Sequence, residues 1–168
     1  MSNAAFTGAE LLRLRLSDVV IENVDLSGAD LDEASLNRVQ FRDCRMSGVM
    51  LSRCRLLDVS FTDCRLDQAN LRMSDVKSVT FDDVDLREGD FYAAGLKDIG
   101  FFDCNLAGSE FSQATMEDVR FRRSDLAGFK GGQYLGGSTI DPDQVLPVAW
   151  GILSALNIQV EETGDVTS

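Results

Sequence analysis

Thiols and carboxylates are the side chains that set the chemistry open to this chain. It has 168 residues, four cysteines, 28 Asp and Glu against 16 Lys and Arg, and no histidine. Cys44, Cys54, Cys64 and Cys104 stand at multiples of ten from one another, and four thiols invite a disulfide or zinc reading. The lack of histidine removes the commonest general acid/base and the commonest metal ligand together. There is no nucleophile–base pair, no P-loop and no Gly-rich dinucleotide fingerprint. Asp82-Asp83-Val84-Asp85 has the acidity of a calcium loop, but Val84 and Leu86 belong to an apolar pattern that points inward. No catalytic residue, metal or cofactor is expected. What the side chains offer is binding by charge. Glu22, Asp43, Asp63, Asp82, Asp83 and Asp103 form the acidic set, and Asp43, Asp63, Asp83 and Asp103 recur at one constant step.

The element that must hold these residues is a repeat. Phe, Leu, Ile, Met or Val occupies every fifth position from Phe6 to Leu126, 25 positions in succession. Two residues before each stands a second column of small or β-branched residues, such as Ala29, Ala34, Val39, Cys44 and Val49. The other three positions are polar, charged or glycine almost throughout. A period of five fits neither the helical 3.6 nor the strand period of 2. Two inward residues per five, one large and one small, require a chain that turns a corner in every unit.

Units such as Asp25-Leu26-Ser27-Gly28-Ala29, Asp30-Leu31-Asp32-Glu33-Ala34 and Asn105-Leu106-Ala107-Gly108-Ser109 resemble the A(D/N)LxX consensus of the pentapeptide-repeat family. The resemblance covers about three quarters of the chain. It implies an all-β solenoid, a right-handed quadrilateral β-helix with four five-residue units per coil. The spacing supports that coil by itself. Ile21, Phe41, Phe61, Phe81, Phe101 and Phe121 fall in one column, each four units after the last, and the other faces are mostly Leu. Gly8, Gly28, Gly48, Gly108 and Gly128 share one corner, where a type II turn needs φ > 0 at its third residue. About six coils at strand spacing give a rod roughly 30 Å long.

This frame places all four thiols in the small inward column. Cys54 faces away from the other three, while Cys44 and Cys64 stack on adjacent coils, close enough for a bridge in principle. They read as buried thiols behaving as small hydrophobes. On the phenylalanine face the acidic set opposes Arg42 alone, until Arg120, Arg122 and Arg123 reverse the sign on the last coil. Stacked carboxylates about 4.8 Å apart repel by about 0.9 kcal/mol per pair even at the dielectric of water. Either Asp suits turn corners through its own hydrogen bonds to the backbone, or the stripe imitates a phosphate backbone.

The sequence divides into a tail over 1–5, the repeat over 6–140 with a register slip at 127–134, a helix and short strand over 141–160, and an acidic tail over 161–168 expected to be disordered. Phe129 puts a ring where a small residue belongs, and Leu135 and Ile140 resume the five-residue step one residue out of phase. Asp141-Pro142-Asp143-Gln144 has the form of a helix start with Asp141 as N-cap and Gln144 in the capping-box place. Pro147 is expected to kink or restart the helix, Asn157 to close it, and Ile158-Gln159-Val160 to form the strand. Val145, Leu146, Ala149, Trp150, Ile152, Leu153 and Leu156 cover more than one face, so the helix must be buried on two sides. One side can cap the last coil; the other calls for a loop, a partner or a second copy, and a homodimer through the helix is expected.

A net charge of −12 disfavours direct nucleic-acid binding and anionic lipid. No apolar run is long enough to span a bilayer, no secretory signal is visible, and a cytoplasmic location is expected. The layout is similar to the Qnr and MfpA branch of the family, whose rods look like duplex DNA and bind DNA gyrase or topoisomerase IV where DNA would lie. That resemblance implies a non-enzymatic DNA mimic with a type II topoisomerase as partner and a link to quinolone resistance. The projecting loops of some Qnr proteins have no counterpart here. The alternative is a generic protein–protein interaction scaffold with no link to topoisomerases.

Overall fold

The computed structural model describes residues 4–161. The chain winds as a parallel β-solenoid of about six turns closed by a single C-terminal helix. Five eight-residue strands carry the middle coils: β4 (Ser35–Arg42), β5 (Arg55–Thr62), β6 (Asp75–Asp82), β7 (Gly95–Phe102) and β8 (Thr115–Arg122). They are preceded by β1 (Ala4–Ala5), β2 (Arg15–Glu22) and β3 (Val24–Asp25), and followed by β9 (Ser138–Ile140). The order β2-β4-β5-β6-β7-β8-β9 is parallel throughout. Each step within it up to β8 advances by the same four units, as in Phe41↔Phe61↔Phe81↔Phe101↔Phe121. The first coil begins earlier than the apolar column suggests, because Ala4–Ala5 pairs with Val24–Asp25.

Corners every five residues follow from one backbone angle. Each fifth residue from Gly8 to Gly128 has φ between 50 and 72°. Glycine accounts for one corner only; the others place Asp, Asn, Arg, Glu, Gln, Met, Ser or Ala in the left-handed region. Asp and Asn visit that region most readily among residues with a side chain. Two of the four corners per coil are closed by a hydrogen-bonded turn, for instance Ala29 N–H to Leu26 O at 3.0 Å and Ala34 N–H to Leu31 O at 3.0 Å. The other two bend the long strand without such a bond.

The core lies on the axis. Phe41, Phe61, Phe81, Phe101 and Phe121 stack with ring centroids 4.9 to 5.0 Å apart and planes within 7°. A second stack, Phe91 over Phe111 at 4.9 Å, meets the first edge-on through Phe101 and Phe121. The near-parallel rings follow from the parallel register, which copies one rotamer from coil to coil. At the N-terminal end no described residue covers the column, and Phe6, Leu12 and Val20 are exposed.

At the other end the step shortens by one residue. Phe121 pairs with Ile140, and Val119 with Ser138, which is the change of phase in the apolar pattern. Phe129 is buried, turned edge-on to Phe111. A short 3-10 turn, Pro142–Gln144, leads into α1 (Val145–Ala155), so the helix restarts with Pro147 in its first turn, where a missing N–H costs little. Gln144 Oε1 accepts the Asp141 N–H at 2.8 Å. The Asp141 carboxylate reaches back to the β8 coil, accepting from Arg123 N–H at 2.8 Å and Arg122 Nη1 at 3.0 Å. Asn157, at φ 55, ends the helix in a Schellman arrangement: Asn157 N–H donates to Ser154 O and Ile158 N–H to Leu153 O. The strand expected over Ile158–Val160 does not form; those residues follow the cap as irregular chain. Of the acidic tail only Glu161 lies within the described residues.

Candidate functional site

The acidic set sits on adjacent coils as the constant spacing requires, but its members differ in surroundings. Asp43, Asp63, Asp83 and Asp103 occupy left-handed corners, with φ of 51 to 52°. The hydrogen bonds that suit Asp to turns belong to a different column. Ser27 N–H donates to Asp25, Asp32 N–H to Asp30, Arg87 N–H to Asp85 and Ala127 N–H to Asp125. These acids precede the large inward residue and close Asx turns. The stripe has another physical reason, the tolerance of Asp for φ > 0.

Across the described residues, Glu22, Asp43, Asp63, Asp82 and Asp83 have no ion-pair partner, whereas Asp103 is held by Arg123 through two bonds of 2.7 Å. That guanidinium holds Asp103 below the usual carboxylate range. Asp63 moves the other way: partial desolvation, then the charges of Asp83 and Asp43, raise it. The unpaired stripe therefore runs over three coils rather than four. Its floor is a shallow groove shared with Cys44, Cys64, Asp85 and two basic residues, Arg45 and Arg65. Those arginines come from the adjoining face, where Arg45 bridges to Arg65, so the groove is less negative than a count by face suggests.

Elsewhere charges pair between coils. Arg38 binds Asp18 on the preceding coil, Lys97 binds Glu117 on the following one, and Arg13 and Arg53 both approach Glu33. Arg53 also contacts Asp32. Exposed pairs of this kind contribute at most about 1 kcal/mol each. They mean that a large part of the acidity is balanced locally, coil against coil.

The thiols are buried in the small column. Burial pushes Cys54 and Cys104 up to about 12. Cys44 and Cys64 lie on adjacent coils beneath the acidic groove, where Cys44 Sγ donates to Arg42 O and Cys64 Sγ to Thr62 O, each at 3.2 Å. The interaction of the two neighbouring thiols lowers Cys44 to about 7 and raises Cys64. Spacing in the sequence sets this pair on adjacent coils; the groove above it depends on how two corner columns meet.

Helix α1 divides into two faces. Val148, Ala149, Ile152 and Leu153 are half-buried over the last coil, and Val148 packs against the core. Gly151 lies on the Phe129 ring, where a Cβ would come within 2.7 Å of Cε1. Val145, Leu146, Trp150 and Leu156 point away, 54, 70, 54 and 58 % exposed. Leu146, Pro147 and Trp150 join Phe129 and Lys130 along an apolar groove. The helix thus caps with one face and, among the described residues, leaves the other uncovered. It is too short to cross a membrane, and no described helix is long and apolar enough to do so.

A parallel solenoid with φ > 0 at every fifth residue and one large apolar residue per corner defines a class of protein. The signature of the pentapeptide repeat region matches residues 2–71 and 34–108, and that of the eight-copy pentapeptide repeat matches residues 101–128. The chain belongs to the pentapeptide repeat family. No curated protein matches it. Among solved structures, HetL, a pentapeptide repeat protein involved in heterocyst differentiation regulation in the cyanobacterium Nostoc sp. strain PCC 7120, is 20% identical with a TM-score of 0.63. The match takes in 72% of this chain and 62% of HetL, so the chain spans less than two thirds of that protein's length, and the likeness is one of fold. Full-length QnrB1, a plasmid-mediated fluoroquinolone resistance protein, is 16% identical over 90% of this chain and 98% of its own, with a TM-score of 0.34.

Proposed function

We propose that the chain is a non-enzymatic binding protein, an acidic rod that imitates duplex DNA and docks in the DNA-accepting groove of a type II topoisomerase, with DNA gyrase the first candidate. The observation that carries this reading is the unpaired column Asp43, Asp63 and Asp83, set at coil spacing along a straight rod. The solenoid over 6–140 holds 23 acidic against 16 basic residues, a net −7, which is on the order of one negative charge per 4 Å of rod, against about 1.7 Å in duplex DNA. A basic groove built for phosphates meets a surface of the same sign as DNA at lower charge density. The cost is the partial desolvation and the mutual repulsion that raise Asp63; a basic partner relieves the repulsion.

Gyrase supercoiling measured with the wild-type protein tests this directly. Inhibition is expected at micromolar protein or below and weakens with salt. The triple variant Asp43→Lys, Asp63→Lys, Asp83→Lys is expected to lose at least about tenfold in potency. Long basic residues already occupy the same left-handed corners at Arg13, Arg38, Arg53 and Arg123, so the variant keeps the fold. Unchanged inhibition by the triple variant would count against the stripe.

The reading includes a homodimer through the outer face of α1, which covers Val145, Leu146, Trp150 and Leu156 against their twofold mates. Light scattering is expected to give about twice the 18.4 kDa chain mass, and Trp150→Glu to give the monomer with its solenoid intact. A monomeric wild type refutes this part alone.

A second reading has its own support. Asp at the corners is already explained by φ > 0, which needs no partner, and Arg45 and Arg65 dilute the groove. A scaffold presenting a flat face to a protein outside DNA metabolism fits those two facts. A pull-down yielding such a partner, together with no effect on topoisomerases, decides for it.

A further inference from the structure

Among the four thiols, Cys44 and Cys64 alone are neighbours in register. They occupy equivalent positions on consecutive coils: Arg65 N–H donates to Cys44 O at 3.0 Å, and Asp85 N–H to Cys64 O at 3.1 Å. The coil spacing at this level is that of Phe41 over Phe61, 4.9 Å between centroids. That falls within the range of about 4.4–6.8 Å between the Cα atoms of bridged cysteines. Cys104 stands in the same column but is separated from Cys64 by Val84, and Cys54 stacks between Ala34 and Ser74 in another column. Neither has a thiol beside it.

Access distinguishes the pair as well. Cys44 and Cys64 are 2 and 4 % exposed, yet both line the groove opened between the Asp43-Asp63-Asp83 corners and the Arg45-Arg65 column of the adjoining face. Cys54 is 1 % exposed, and its Sγ donates to Leu31 O at 3.0 Å. A small oxidant reaches the floor of the groove; a bulky one does not.

We infer that Cys44 and Cys64 form a peroxide-responsive dithiol that closes to a disulfide between adjacent coils. The oxidant is a small hydroperoxide. The Cys44 thiolate attacks the distal peroxide oxygen; an S–O bond forms, the O–O bond breaks, and the alcohol or water leaves after taking a proton. Cys44 is then a sulfenic acid. The Cys64 sulfur attacks Cys44 Sγ, its proton leaves with the hydroxyl as water, and the S–S bond forms. Two thiols lose two electrons, the peroxide gains them, and a thiol reductant restores the pair. The interaction of the neighbouring thiols lowers Cys44 and raises Cys64, which favours the thiolate at the first step and a protonated partner for the second.

The test treats the full-length chain with hydrogen peroxide at low molar excess, followed by intact mass and non-reducing peptide mapping. The expected result is loss of two hydrogens per chain and a single link joining the peptides of Cys44 and Cys64. Cys54 and Cys104 are expected to remain alkylatable after unfolding, oxidising at least about tenfold more slowly. In Cys64→Ser a sulfenic-acid trap is expected to label Cys44. Serine already fills the same column at Ser124 and its counterparts at Ser74 and Ser109, each with its hydroxyl bonded to a carbonyl, so the variant folds. A link through Cys54 or Cys104, a link between chains, or four free thiols after peroxide treatment each overturns the inference.

Discussion

Replacing Phe101 by alanine is expected to destabilise the solenoid by about 4 kcal/mol, the middle of the range for emptying a buried aromatic site. Phe101 has no exposed surface. Its ring stacks at 5.0 Å on both Phe81 and Phe121 and takes the edge of Phe91 at 5.9 Å. No other ring in the ladder except Phe121 has an edge-on partner as well as a stacked one, and Phe121 is stacked on one side only. The cavity cannot collapse easily, because the coils above and below are held at hydrogen-bonding distance by β6, β7 and β8. A solenoid is stabilised coil by coil through nearest neighbours, so the loss falls on the junction between the central and C-terminal coils. Urea unfolding is expected to show a lower midpoint with a broader transition. Phe6→Ala, at a site 47 % exposed on the open end, is expected to cost below about 1 kcal/mol. Similar effects for the two substitutions would show that the ladder carries no more stability than its surface.

The difference between those two phenylalanines was only partly legible in the amino-acid sequence. A period of five, read along one column, gives the coil length, the ladder from Phe41 to Phe121 and the inward place of all four cysteines, because each depends on residues whose spacing is set by the repeat itself. The second stack of Phe91 on Phe111 and its edge-on contact with the first depend on how faces meet at a corner, which no single column records. The same holds for the charges. Asp43, Asp63, Asp83 and Asp103 form one line in the sequence, yet Arg123 removes Asp103 from it, and Arg45 and Arg65 enter its groove from the adjoining face. Pairing from coil to coil follows from register; pairing around a corner follows from φ, and φ is positive at residues as unlike as Arg53, Met73 and Asp83. The helix was legible as apolar on two sides, while its division into a capping face on Phe129 and a free face at Trp150 came from the shortened last step that positions it.

That shortened step rests on Gly137, and Gly137→Ala is expected to release the C-terminal cap at a cost of about 3 kcal/mol or more. Two constraints coincide there. The backbone has φ of 88°, and a Cβ would lie 2.2 Å from Met116 O and 3.0 Å from Met116 C. The obstructing atoms are main chain of β8, so no rotamer change makes room. The segment must retreat, which breaks the Val119 N–H bond to Gly137 O and lifts β9 from β8. Ile140 then leaves Phe121, Asp141 loses Arg122 and Arg123, and α1 goes with it, together with any dimer built on its outer face. Gly8→Ala separates strain from clash. Its φ of 65° is also left-handed, but nothing lies within 4 Å of the added carbon, so about 1 kcal/mol is expected. Hydrogen exchange reads the outcome: in Gly137→Ala the amides of Val119 and of α1 lose protection while β4 to β6 keep theirs. Equal protection at the C-terminal coil in the two variants would mean that β9 tolerates displacement, and that the cap is held by Phe129 and Asp141 alone.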